Sequence, residues 1–210
     1  MTNPTIDPVR LERAMSATLL KGAHDKPNGE FQACVMEAVA FVAGEPWSDH
    51  PKCASPVIGA FMRVWNDGLN EDDRNRLLKP LIVKLVGTRG SKALENRRAT
   101  MAADWFIRVQ TPAWLRLAKL DKHADLLASM PEITDFSKAP SLMPALTAER
   151  TDAYAAWAAA GDAARAAAVD AAGDAARDAA RDALRPTVEA LQASALELVE
   201  RMIAEPEPKQ

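Results

Sequence analysis

The feature that most constrains the fold of this chain is an alanine-rich stretch in its C-terminal third. From Ala153 to Ala183, 18 of 31 residues are alanine. Because alanine has the highest intrinsic helix propensity, this composition predicts a long helix. Aspartates in the stretch stand three residues before arginines, as at Asp174 and Arg177, which places opposite charges on one helix face.

The charge spacing also predicts how another helix would approach. The charges recur at multiples of four residues, whereas an α-helix has about 3.6 residues per turn. The alanine stripe between them therefore winds around the helix, and a partner helix that follows it crosses at an appreciable angle. Small side chains along the stripe favour close helix–helix contact.

We predict that this alanine-rich helical arm spans residues 147–204 and is broken near Pro186, because proline has no N–H to donate inside a helix. Residues 205–210 are predicted to form a disordered tail. Beyond the proline, apolar residues recur at helical spacing and are expected to pack: Val188, Leu191, Ala195, Leu198 and Met202.

The chain before the arm is predicted to be a compact, all-α, multi-helix domain over residues 1–130. Pairs of an N-cap residue and a proline mark helix starts at Asp7-Pro8 and Ser55-Pro56. The first helix is expected to carry Met15 and Leu19 on one face, and Pro80 is expected to kink or split a later one. Residues 33–43 are apolar on nearly every side, which predicts a buried central helix.

Residues 131–146 join the domain to the arm. They contain three prolines and show no clear hydrophobic period. This pattern is typical of a linker, so we predict one here.

Charge and hydropathy exclude several classes of function. The net charge is −3, with 26 basic and 29 acidic residues, which makes bulk nucleic-acid binding unlikely on electrostatic grounds. No stretch approaches the length of a membrane-spanning helix, and the first ten residues lack the apolar core of a secretory signal. We therefore expect a cytoplasmic protein without a membrane partner, whose two cysteines are thiols.

Potential metal ligands and nucleophiles concentrate in one window of the sequence, from His24 to Cys53. With Cys34 and His50, these residues make a candidate Cys2His2 zinc set, although no standard finger spacing is present. Zinc is accordingly a possible cofactor and no cofactor is certain.

Thiol chemistry is a second interpretation of the same window. Cys34 lies near a helix N-terminus, where a thiol pKa is lowered. His50 or His24 is the candidate base, and Glu37 or Asp49 is the candidate group that orients it. The favoured interpretation is the simplest, in which both cysteines are small buried apolar residues. The window alone does not predict an enzyme.

Three further residues are candidates for lining a ligand pocket. Trp47 and Asp49 lie on the loop within the window, and Arg89 lies in the glycine-containing segment 87–92. That segment precedes a helix and could seat a phosphate, but it lacks the spacing of a phosphate-binding loop, so an ordinary turn is favoured.

The stretch from Cys34 to Ile58 reads CVMEAVAFVAGEPWSDHPKCASPVI. Together with the alanine, aspartate and arginine arm, it resembles a family of proteins encoded by actinobacteria and their phages. The resemblance implies a cytoplasmic setting in a bacterium or a phage-infected host cell. It implies no activity and no catalytic residue.

These observations favour a helical interaction protein over an enzyme. The arm, residues 147–204, is expected to associate with a protein partner or with a second copy of the chain, and the alternative use of the arm is to fold back on its own domain. The alternative is an enzyme or metal-binding protein that uses His24, Cys34, His50 and Cys53.

Overall fold

The computed structural model describes residues 5–27, 29–135 and 174–208, and the all-α prediction is confirmed over these ranges. They contain no strand, only an isolated bridge between Leu19 and Ala33. The helices are α1 (Pro8–Ser16), α2 (Val35–Val42), α3 (Pro56–Gly68), α4 (Glu71–Leu78), α5 (Leu81–Leu85), α6 (Lys92–Trp105), a π-helical segment (Phe106–Gln110), α7 (Thr111–Leu117), α8 (Asp121–Ala128) and α9 (Asp174–Ala204).

The chain divides into two compact units. The first unit comprises Met1–Ala99 and Val199–Gln210, and the second comprises Thr100–Leu198. The predicted linker beyond residue 135 and the arm up to residue 173 lie outside the described residues, so the predicted boundaries at 130 and 146 remain predictions.

Helix starts follow the capping residues that the sequence indicates. The Asp7 carboxylate accepts hydrogen bonds from the backbone N–H groups of Val9 and Arg10 at 3.0 and 3.1 Å. Ser55 Oγ likewise accepts from the Ile58 N–H, at 3.2 Å. Such caps satisfy N–H groups that have no partner inside the helix. Pro80 separates α4 from α5, which confirms the predicted split.

Helix α2 is the centre of the first unit, as predicted. Every residue of it except Phe41 is buried, and α1, α3 and α5 pack against it. A helix that is apolar on all sides is stable in water only when it is surrounded in this way. The burial of α2 therefore fixes the position of the residues at its N-terminus, Cys34 and Glu37.

The segment between α1 and α2 differs from the prediction. Helix α1 ends at Ser16, so Leu19 lies beyond it and is buried at the bridge, while Met15 is exposed. Buried polar side chains hold this non-helical segment. Arg74 donates to the carbonyl oxygens of Leu19, Asn66 and Leu69, at 3.1, 2.8 and 2.6 Å.

The second unit contains a small core under the π-helical segment. Leu115, Ala124 and Leu127 form it, and Ile107, Leu120 and Met130 pack around it. The segment is continuous with α6 on one side and α7 on the other, and the Thr111 hydroxyl donates to the Phe106 carbonyl oxygen at 2.7 Å.

Helix α9 corrects the predicted break at Pro186. It runs from Asp174 to Ala204 with Pro186 inside it. Proline cannot donate to the carbonyl four residues earlier, that of Asp182, but residues 182–186 are exposed, so water can hydrogen-bond this carbonyl instead. The ion pair between Asp182 and Arg185 confirms the predicted three-residue charge spacing at this position.

The C-terminal turns of α9 are the part of it that is buried. Ala195, Leu198, Val199 and Met202 recur at helical spacing and are all buried, as the amphipathic pattern predicts. Within the predicted tail, Glu205–Pro208 carries hydrogen bonds and an ion pair to α6 and its N-cap.

A search of the described helices for a segment both long and apolar enough to cross a bilayer found none.

Candidate functional site

Glu37 is the residue that connects the members of the predicted window. It lies in the first turn of α2 and is 1% exposed. Its carboxylate accepts hydrogen bonds from the backbone N–H of Cys34 at 2.8 Å and from the backbone N–H of His24 at 2.5 Å. Its Oε2 lies 3.0 Å from His24 Nδ1. A buried carboxylate is tolerated only when it is hydrogen-bonded, and Glu37 meets this requirement through three contacts.

His24 is held by one further neighbour, Trp47. Trp47 Nε1 donates to its carbonyl oxygen at 2.8 Å. Because a carboxylate only accepts hydrogen bonds, the contact with Glu37 requires a proton on His24 Nδ1. The rings of Phe31, Phe41 and Trp47 pack together, with centroids 4.9 to 6.4 Å apart. Trp47 therefore links the histidine loop to an aromatic cluster.

Cys34 is the N-cap of α2 and is buried. Burial raises the pKa of its thiol to about 12, and the Glu37 carboxylate contributes to the rise. The prediction of a lowered thiol pKa is therefore wrong. The N-terminus of α2 does favour a thiolate, but desolvation and an adjacent negative charge outweigh this effect.

His50 and Asp49 form a separate pair on the surface. His50 Nδ1 lies 2.6 Å from Asp49 Oδ1, and the His50 side chain is about two-thirds exposed. Arg63 fixes the Asp49 backbone by donating to its carbonyl oxygen at 3.0 Å. Asp49 thus orients His50, but neither residue is among the hydrogen-bonding partners of Cys34.

Cys53 lies at the start of the segment that precedes α3, and it is also buried. Burial raises the pKa of its thiol to about 11, with a further rise from the nearby Glu45 carboxylate. The backbone N–H of Arg89 donates to the Cys53 carbonyl oxygen at 3.1 Å, while the Arg89 side chain is exposed. The two residues are therefore joined through the backbone only.

The structure gives the predicted zinc set no support. Over the described ranges, which include all four candidates, no group of three or more His, Cys, Asp or Glu residues could hold a metal ion. His24 and Cys34 share Glu37 as a partner, whereas His50 pairs with Asp49 and Cys53 bonds to Arg89. Both cysteines are free thiols.

A second buried polar network lies outside the predicted window. The Ser55 hydroxyl donates to the Glu95 carboxylate in a short hydrogen bond. Glu95 Oε1 accepts from the Gly90 backbone N–H at 3.0 Å and from Arg98 Nη1 at 2.9 Å. Arg98, which is buried, also donates to the Thr88 carbonyl oxygen at 2.6 Å. This network joins the N-terminus of α3 to the first turns of α6.

The contacts of Glu37 and the network around Glu95 were not predicted from the sequence, although a residue spacing indicates part of each. The spacing of three between Cys34 and Glu37 is that of an N-cap and an N3 glutamate, which indicates a capping contact. Glu95 and Arg98 are also three apart on one helix. Their link to Ser55 joins residues 40 positions apart, which no local pattern predicts.

Comparisons of the chain with protein-family models, with curated proteins and with solved structures gave no match.

Proposed function

We propose that this protein is a helical interaction protein of a bacterial or phage-infected cytoplasm. Its arm, residues 147–204, associates with another helix, which belongs to a partner protein or to a second copy of the chain. The phage and actinobacterial setting rests on the resemblance of the stretch from Cys34 to Ile58. A reducing compartment is consistent with two buried free thiols.

The observation that carries the proposal is the change in exposure along α9. All five residues from Asp182 to Pro186 are exposed, including Leu184, whose exposed fraction is 40%. Thirteen residues after Pro186, Val199 is fully buried. The same helix is therefore anchored near its C-terminal end and open to solvent near residue 184.

An exposed helical segment of this kind needs a reason to persist. Helical stability in proteins comes mostly from packing of an apolar face, and an unpaired segment gains little of it. A partner helix would supply that packing at Leu184, and alanine side chains such as Ala183 would permit its close approach. Association of the arm accounts for the persistence of this exposed helical segment and for its small side chains.

The raised pKa values of the two thiols disfavour the alternative of thiol chemistry in the window. The nucleophile in such chemistry is the thiolate, and raised pKa values keep both thiols protonated near neutral pH. The geometry around Glu37 is that of a carboxylate satisfied by backbone and histidine donors. It supports a structural role for His24 and Cys34.

The test places a photo-crosslinking amino acid at position 184 of the full-length chain and, as a matched control, at the exposed position 9 of α1. Crosslinking in bacterial cells and light scattering after size-exclusion chromatography are then measured together. The proposal expects an adduct from position 184 and none from position 9, with a mass above the 22.7 kDa of one chain if the partner is a second copy. No adduct from position 184, together with a monomeric mass at every concentration, would overturn it.

A further inference from the structure

The C-terminal end of α9 and the residues after it are tied to the first unit by four polar contacts. Each joins a residue between 200 and 207 to one between 84 and 98. They are Lys84 Nζ to Glu200 at 2.6 Å, Arg98 Nε to the Met202 carbonyl oxygen at 2.8 Å, an ion pair between Arg97 and Glu205, and the contact of Ser91 with Glu207.

The contact between Ser91 and Glu207 is bidentate. Glu207 Oε1 accepts from the Ser91 backbone N–H at 2.9 Å, and Oε2 accepts from the Ser91 hydroxyl at 2.6 Å. Ser91 is also the N-cap of α6, because its Oγ accepts from the Leu94 N–H at 3.2 Å. A carboxylate at this place is favoured by the positive end of the helix dipole.

The backbone next to Ser91 has a shape that admits this carboxylate. A Cβ on Gly90 would lie 3.1 Å from Glu207 Oε1 and 2.5 Å from Leu94 Cδ2. Only a residue without a side chain leaves both groups where they are. Gly90 thus permits the tail to lie against the start of α6.

Arg98 couples the end of α9 to the interior. Its guanidinium is buried and binds Glu95, the Thr88 carbonyl oxygen and the Met202 carbonyl oxygen. Met202 is among the last four residues of α9, whose carbonyls have no partner inside the helix. The buried Arg98 side chain therefore donates a hydrogen bond to one carbonyl oxygen at the end of α9. The contacts of the tail lie in more exposed positions.

The tail contacts are more exposed than the packing beneath them. Glu207 is exposed and the Arg97 side chain is half exposed, while the Glu205 side chain is 17% exposed. Ion pairs at exposed positions are weak and are screened by salt. The residues of α2, by contrast, open only when the surrounding core opens.

We propose that Glu205–Pro208 is a strap, operated by charge, that fastens the end of α9 to the N-terminus of α6 and opens without unfolding of the first unit. Glu205 and Glu207 supply the charges, and Arg97 and the Ser91 end of α6 receive them. The strap is a conformational device of the first unit, and it does not depend on the association of the arm.

The experiment is hydrogen–deuterium exchange, followed by mass spectrometry, on the full-length chain. The variant is Glu205→Gln with Glu207→Gln, and the control is Glu189→Gln with Glu197→Gln, which removes the same number of charges from exposed positions of α9. We expect amides in peptides over 91–94 and 203–208 to exchange about fivefold to tenfold faster in the double variant, and also in the unaltered chain at high salt. Amides of α2 and all amides of the control should keep their rates.

Two results would overturn the strap. Unchanged exchange over 203–208 in the double variant would mean that the two carboxylates do not fasten the tail to α6. Equal acceleration in α2 would mean that the variant loosens the whole unit, so that no separate opening exists.

A variant of Ser91 tests the charge independently of the helix cap. Aspartate is as good an N-cap as serine, so Ser91→Asp keeps an acceptor for the Leu94 N–H while it places a negative charge against Glu207. We expect the tail to exchange as in the double glutamine variant, and Glu207→Gln added to Ser91→Asp to restore part of the protection. Full protection of the tail in Ser91→Asp would contradict operation by charge.

Discussion

Glu37 Oε2 accepts a hydrogen bond from the Cys34 backbone N–H at 2.8 Å and lies 3.0 Å from His24 Nδ1. One buried oxygen thus closes the N-terminus of α2 and holds the loop that carries His24. Burial is the main cause of the raised pKa of the Cys34 thiol, and the same carboxylate adds to the rise.

The first prediction concerns that carboxylate. Glu37→Gln keeps the volume but puts an amide NH2 group where the carboxylate accepts three hydrogen bonds, so at least one donor loses its partner. We expect the free energy of unfolding to fall by about 1–3 kcal/mol in urea denaturation. Glu30→Gln, at an exposed position before α2, is the matched control and should change it by less than about 0.5 kcal/mol.

The second prediction concerns thiol reactivity. With pKa values of about 12 and 11, Cys34 and Cys53 should both react slowly with a disulfide reagent at pH 8, and both should react rapidly in denaturant. One fast-reacting thiol in the folded chain would contradict this. Cys34→Ala and Cys53→Ala, each made singly, would identify which residue reacts.

The third prediction is a loss of stability in alkali. Both thiols have folded-state pKa values above the ordinary value of 9.0, so the folded state retains protons that the unfolded state releases. Their contribution to stability is complete below pH 9 and is lost as pH rises toward 11 and 12. Denaturation midpoints measured from pH 8 to pH 11 should fall, and replacement of both cysteines by alanine should flatten the fall.

The fourth prediction concerns Arg74, whose three carbonyl contacts join the segment after α1, at Leu19, to the C-terminal end of α3, at Asn66 and Leu69. Lysine cannot reproduce the planar fork of arginine, so Arg74→Lys should leave buried carbonyls unpaired and cost about 2–4 kcal/mol. Arg76→Lys, further along the same helix and exposed, should cost less than about 0.5 kcal/mol. Equal losses of unfolding free energy in the two variants would show that the hydrogen bonds of the buried Arg74 guanidinium do not add to stability.

The fifth prediction concerns the close approach at Gly90. Gly90→Ala forces Leu94 to move, because a Cβ would lie 2.5 Å from Leu94 Cδ2, and we expect a cost of about 1–3 kcal/mol in thermal or urea denaturation. Gly68→Ala is the control, since a Cβ there meets nothing within 4 Å. It should be neutral or stabilising by up to about 1 kcal/mol, and a cost equal to that of Gly90→Ala would mean that the contact plays no part.

Local patterns predicted much of the first unit because the physics behind them is local. Asp7 and Ser55 start helices by satisfying N–H groups two or three residues away, and Pro80 splits α4 from α5 by lacking an N–H. The burial of α2 follows from its uniformly apolar composition. Each of these outcomes depends on residues that are neighbours in sequence.

The candidate site could not be predicted to the same extent, because its partners are distant in sequence. His24 and Glu37 are 13 positions apart, and no local pattern predicts that they meet. The neighbours Asp49 and His50 pair with each other and do not join them. The thiol pKa depends on burial, which sequence spacing does not give. The continuation of α9 through Pro186 likewise depends on exposure of the helix at that point.

The π-helical segment from Phe106 to Gln110 allows the helix that joins α6 to α7 to carry one extra residue. Each residue added to or removed from an α-helix turns the rest of that helix by about 100°. A π-helical turn is wider by one residue, because its hydrogen bonds join residues five positions apart. Deletion of one residue from this segment would therefore restore α-helical winding with little rotation of α7. Leu115, Ala124 and Leu127 all follow the segment, so they would stay together and the small core would be kept.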